Sequence, residues 1–186
     1  MPAFVLMILL TTVTPPPPPP EAIQECRDAA AQLGSGLMKE LTAAMTKGDA
    51  EAALTACRDK APAIAASISA EKGLIVRRTA LKARNQENCP DAWETAVLKE
   101  FERRMAAGED PAGLEFAEVS ELDGRRVVRF MKAIPMKEFC LRCHGDPAGM
   151  KPELKGTIAK LYPDDAAVGF KAGDLRGAFS VTRPLP

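Results

Sequence analysis

The stretch EFCLRCHGDP, Glu138 to Pro147, holds the only histidine of the 186-residue chain, directly after a Cys-x-x-Cys pair. Shuffling a chain with five cysteines and one histidine would produce that arrangement roughly six times in ten thousand. Cys-x-x-Cys-His is the attachment sequence of c-type haem, so whatever the chain folds into has to present this motif to a covalent cofactor. Two residues between the thiols let both sulfurs reach neighbouring edges of one macrocycle, and the next imidazole then points at the iron. Cys140 and Cys143 are the expected thioether links of one covalent haem c, and His144 is the expected proximal ligand. Gly145 lets the backbone turn away without side-chain crowding.

Other uses of the motif fit less well. A zinc site needs four ligands, and the adjacent Cys143 and His144 cannot easily both reach one tetrahedral ion. No further cysteines stand at the usual spacing. A thioredoxin-like redox pair would sit in a βαβ core, whereas here helices precede a hairpin, and it leaves the placement of His144 unexplained. A purely structural cysteine pair is the bland alternative.

Lys+Arg and Asp+Glu both number 25, and the chain has one Trp and one Tyr. That balance gives no electrostatic footprint for nucleic acid or for an anionic membrane. The first thirteen residues, MPAFVLMILLTTV, form an apolar run shorter than the about 20 residues a bilayer span takes. Its length suits a signal-peptide core, although no basic residue precedes it and no small-x-small cleavage site is obvious. Pro15 to Pro20 follow as a stiff polyproline II spacer. Residues 1–20 are therefore expected to be a signal peptide or short anchor plus spacer, and 21–186 the folded domain. The expected location is the periplasm, with membrane contact only through that N-terminus.

Hydrophobic periodicity outlines the elements. Ile23, Cys26, Ala30, Leu33, Leu37, Leu41 and Met45 mark one face of a long helix, with a bend expected at Gly34 and Gly36. Gly48-Asp49 reads as a stop and an N-cap. A second helix carries Leu54, Cys57, Ala61, Ile64 and Ile68, loosened at Pro62 and ending near Gly73. LIVRRTALKARNQENCP, Leu74 to Pro90, reads as a loop-rich crossing. Pro90 is placed at the first position of a third helix whose face is Trp93, Val97, Phe101 and Met105, with Gly108 as the stop. Asp123-Gly124 between two β-rich runs signals a hairpin. TIAKLY reads as a further strand and LRGAFSVTRPLP as a last one. Helices first and antiparallel strands later make the fold class α+β.

With one histidine, bis-histidine ligation within the chain is excluded. The second iron ligand is left among Cys57, a methionine (Met38, Met45, Met105, Met131, Met136 or Met150), a lysine, or an empty site. On pattern alone inert core packing is the better reading of Cys57. Arg78 and Arg84 are candidates to fork onto haem propionates, against a plain solvated basic stretch.

Four stretches together resemble a known family. They are ACRDKAPAIA, RRTALKARNQENCPDAWE, FCLRCHGDP and YPDDAAVGFKAGDLRGAFSV, in order along Gln24 to Pro186. The family consists of single-haem c-type domains with a PAS-like fold, found as small exported cytochromes and as input domains of bacterial signalling receptors. The resemblance implies N-terminal helices packed on an antiparallel sheet, and a thiolate from Cys57 as the distal iron ligand. Gln86 replaces a proline usual in the family, and Cys89 stands where a small non-thiol residue is general. Cys26 and Cys89 are left over, as a pair or as separate thiols.

Three functions follow in order of fit. The first is an exported electron carrier meeting a redox partner protein. The second is a redox or gas sensor signalling through a partner; no kinase or helical signalling segment follows Pro186, which weighs against a self-contained receptor. The third, a peroxidase-like enzyme, fits least, because the only histidine is committed to iron. No enzymatic activity is expected.

Overall fold

The computed structural model describes residues 16–46 and 50–186; the apolar N-terminal run, Pro15 and the Gly48-Asp49 stop lie outside them. Helix α1 (Pro20–Thr46) lays small side chains on the sheet, burying Ala22, Cys26, Ala29, Ala30 and Leu33. Its expected stripe is only half-buried at Leu37, Leu41 and Met45. The helix runs unbroken through Gly34 and Gly36, where both glycines serve close contact. A Cβ at Gly34 would lie 3.0 Å from the Phe179 ring, and one at Gly36 3.1 Å from Ile64. Helix α2 (Ala50–Lys72) continues through Pro62 and stops at Gly73, whose φ of +64° suits glycine.

The basic stretch after α2 is not a loop-rich crossing throughout: Ile75–Thr79 is strand β1. Consecutive arginines mask its alternation, yet they point to opposite faces of the strand. Helix α3 (Ala92–Ala106) begins two residues later than Pro90. Asp91 is its N-cap, accepting from Glu94 N at 2.7 Å, while the Asp91 N–H donates to Glu94 Oε2 at 3.1 Å. This capping box satisfies two end groups at once, which a proline start cannot do.

Strands β2 (Glu115–Leu122) and β3 (Arg125–Pro135) form the expected hairpin, with Asp123 and Gly124 at φ of 51° and 72°. The last strand, β4 (Leu175–Pro184), inserts between β1 and β3, giving the antiparallel order β1-β4-β3-β2. A single-turn helix α4 (Leu141–His144) and helix α5 (Pro152–Leu161) lie between β3 and β4. TIAKLY thus belongs to a helix and not to a strand: Pro152 starts it, and the buried Ile158 and Tyr162 stand four apart on one face.

The fold is α+β, with helices on both faces of the four-stranded sheet. On one face, α1 and α2 bury Leu33 and Ile68 against Val76, Val128, Phe130 and Val181. On the other, α3 buries Val97, Leu98 and Phe101 against Met131, Ala133 and Ala178. Burial on both sides makes β3 and β4 the rigid centre from which the loops at one end are hung. Among the described residues, no helix is long and apolar enough to cross a membrane.

Candidate functional site

After Pro135 the chain leaves the sheet under restraint: Met136 N donates to Asp174 O and Gly173 N to Met136 O, both at 2.8 Å. A turn at Glu138–Cys140 then runs into α4, so Cys140 and Cys143, three residues apart, share one side of a helical turn. Both thiols are free and half-buried. A Cβ at Gly145 would lie 2.6 Å from Leu141 O, so the residue after the histidine must be glycine for this turn to close.

The His144 ring is oriented by backbone. Its Nδ1 lies 2.7 Å from Ala167 O, and a carbonyl only accepts, so Nδ1 carries the proton and the Nε2 lone pair is free. The loop supplying that carbonyl is tied down as well. Phe170 N donates to His144 O at 3.0 Å, Gly169 N to Gly145 O at 2.8 Å, and Ala167 N to Asp165 Oδ1 at 2.8 Å. The Phe170 ring stands edge-on to the imidazole at 6.3 Å. Burial, then the charges of Arg176 and Arg84, push the His144 pKa down to about 3, so the ring is a neutral donor at physiological pH.

Arg84 is buried and braces both strands of this arrangement. Its Nη2 donates to Cys143 O at 2.6 Å and Ala167 O at 3.2 Å, and pairs with Asp165 at 3.0 Å. Its Nε is buried without a partner among the described residues.

Cys57 comes to the same region from α2. Burial raises its thiol pKa, Arg78 and Arg84 oppose that, and Cys140 adds to it. Burial likewise raises Cys143, against Arg84, with Cys57 and Cys140 adding to it. Cys57 and Arg78 line one cavity of ≈ 170 Å³ together with Pro62 and Asn85. No carboxylate pairs with Arg78 among the described residues. All six residues singled out in the sequence, Cys57, Arg78, Arg84, Cys140, Cys143 and His144, are thus brought together from four separate segments.

Sequence reasoning missed Asp165, Phe170, Tyr162 and Arg176. Burial, with Arg78 and Arg84 beside it, lowers the Arg176 pKa to about 10, so three guanidinium groups share one neighbourhood. The Asp165–Ala167 turn had a signal in YPDDAAV, since Asp readily caps its own backbone two residues on. Cys26 is buried in the α1 core and Cys89 is exposed in the loop before α3, both as free thiols.

The model of the Tll0287-like family matches residues 21–184. The chain belongs to the Tll0287-like family. The crystal structure of the cyanobacterial heme-protein Tll0287 superposes with a TM-score of 0.68 at 25% identity, over 91% of this chain and 98% of that one. No curated protein matches the sequence. The resemblance drawn from four stretches therefore holds, and the arrangement of helices on a four-stranded antiparallel sheet is that of a Tll0287-like domain.

Proposed function

We propose that this Tll0287-like protein is an exported mono-haem c-type cytochrome that carries electrons to or from a partner protein. The haem would be fixed by Cys140 and Cys143, with His144 and Cys57 as the axial ligands. The observation that carries this is the neutral His144 with Nδ1 spent on Ala167 O and Nε2 free, next in the chain to two thiols of one helical turn that a third thiol from α2 approaches. The residues fit the group chemically. Two thiols suit its vinyl groups, one nitrogen and one sulfur suit its iron, and guanidinium groups suit its carboxylates. The unpartnered Arg84 Nε and the carboxylate-free Arg78 are donors for such an acid group. The related structure is that of a heme-protein, which supports the same reading.

When bound, haem supplies a one-electron couple. The chain's own residues hold and tune it. Ala167 fixes the tautomer of His144, and Arg84 with Asp165 keeps the Ala167 carbonyl in place. A thiolate at Cys57 donates electron density and favours the oxidised form, giving a low potential. The periplasmic location, free or tethered by the N-terminus, is part of the same proposal.

A second reading is a redox or gas sensor. It draws on the position of Cys57 in α2, a Pro62-containing helix packed against α1 and β1, so that releasing the thiol would bear on an element in contact with the sheet. Both readings need covalent haem, and the experiment that tests that shared premise is haem staining of denatured protein made in a periplasm with haem-maturation machinery. Covalent haem that disappears when Cys140 and Cys143 are both changed to Ser supports attachment at this motif. Absence of stain from the unaltered protein overturns it.

A further inference from the structure

On the α3 side, a second cleft of ≈ 340 Å³ opens between α3, the start of β4 and the Leu81–Lys82 turn. That is the size range of a small-molecule site, and roughly twice the about 150 Å³ that holds benzene. Leu81, Met105 and Leu175 provide an apolar wall, backed by the buried Leu98. Leu81, at its mouth, is 38% exposed, one of three large apolar side chains left to solvent among the described residues.

One end of the cleft is cationic. Lys82 Nζ lies 5.1 Å and the Arg176 guanidinium 5.6 Å from the Phe170 ring centroid, and Arg176 Nη1 donates to Lys82 O at 3.1 Å. Neither cation has a carboxylate within ion-pairing distance among the described residues. Asp174 lines the cleft too, but its carboxylate accepts from Lys171 N at 2.7 Å. Glu102, exposed on α3, is the one further acid at the rim.

We propose that this cleft binds a small monocarboxylic acid with an apolar body. Its carboxylate sits between Lys82 and Arg176, and its hydrocarbon lies on Leu81, Met105 and Leu175. Two like charges held against one aromatic ring have no carboxylate at ion-pairing distance, and a bound anion would supply one. Glu102 and Asp174 in the lining repel a second negative charge, so a dicarboxylate is disfavoured. The ligand would rest on Phe170, the ring that stands edge-on to His144, which places its binding beside the proposed iron ligand without depending on it.

Isothermal titration of the full-length protein, as isolated from maturation-competent cells, tests the proposal with 3-phenylpropanoate as the probe. Saturable one-to-one binding is expected, weakened about tenfold or more by Lys82→Glu and strengthened by Glu102→Gln. Both changes are at exposed side chains, so folding is not at stake. 2-Phenylethylamine and sulfate should not compete. The proposal is overturned by absence of saturation, by equal affinity for 2-phenylethylamine or for phenylalanine, or by indifference to both variants. A visible spectrum recorded on the same sample reports the haem proposal separately from this site.

Discussion

Arg84 holds the geometry of the site from outside the cysteine–histidine motif. One guanidinium nitrogen reaches the carbonyls of Cys143 and Ala167, and the carboxylate of Asp165 neutralises it in a buried position. Truncating the acid strands that charge in low dielectric. Asp165→Ala should therefore cost about 3–5 kcal/mol in denaturant unfolding, whereas a loss under about 1 kcal/mol would show that the pair is not structural. The sequence identified the basic side chain but not this partner, because nothing local links residue 84 to residue 165. Cysteine roles divide by burial. Cys26 lies in the core with its pKa pushed up to about 12, while Cys89 is exposed. Iodoacetamide at pH 8 should modify Cys89 and leave Cys26 untouched in the native protein; mass mapping of labelled Cys26 would contradict its place in the α1 core.

At the scale of elements, the stretch PDAWE is an attachment device for α3. Asp91 caps the helix and accepts from Arg129 at 2.6 Å, and Arg129 stacks on Trp93 at 4.0 Å. Trp93 Nε1 donates to Glu118 at 2.6 Å, and Arg77 donates to the buried Glu94 at 2.8 Å. Three residues that read as a motif thus fasten a helix to three different strands. Burial opposes ionisation of Asp91, but the Glu94 N–H and Arg129 outweigh it, so its pKa is lowered. A lowered folded pKa adds stability that is present above the unfolded value of about 4 and is lost as pH falls through the folded one. Asp91→Asn should cost about 1 kcal/mol at neutral pH, discounted for its exposure, with the gap to the parent protein closing between about pH 5 and 2. A gap constant with pH would remove the charge from the explanation. Gly177 makes a separate point about β4. Its φ is +152° and an added Cβ would lie 2.3 Å from Thr79 O. Gly177→Ala should destabilise by at least about 3 kcal/mol in thermal unfolding, since neither backbone can yield without breaking the β1–β4 pairing.

For the whole molecule, the order of elements was legible because helical and alternating periods are properties of single segments. Helices α1 and α2, the Asp123-Gly124 hairpin and β4 each carry their own signal. What was not legible depends on partners. β1 is a strand because β4 arrives to pair with it, and its two arginines are tolerated because one meets Glu94 and the other faces α2. TIAKLY looks like a strand until Ile158 and Tyr162 find a common face to bury. That α3 covers the face opposite α1 could not be read from either helix alone. The site followed the same division: the motif named Cys140, Cys143 and His144, while the loop from Tyr162 to Phe170 that aims the imidazole became visible only in three dimensions.

The central claim is covalent haem with His144 and Cys57 on its two axial positions. The most direct test is the visible spectrum of the exported protein and its Cys57→Ala variant, oxidised, reduced and with CO added. The expected result is a low-spin haem in the parent that becomes high-spin or water-ligated, and open to CO, once the thiol is removed. An unchanged low-spin spectrum in Cys57→Ala, or no haem in either protein, would contradict the account.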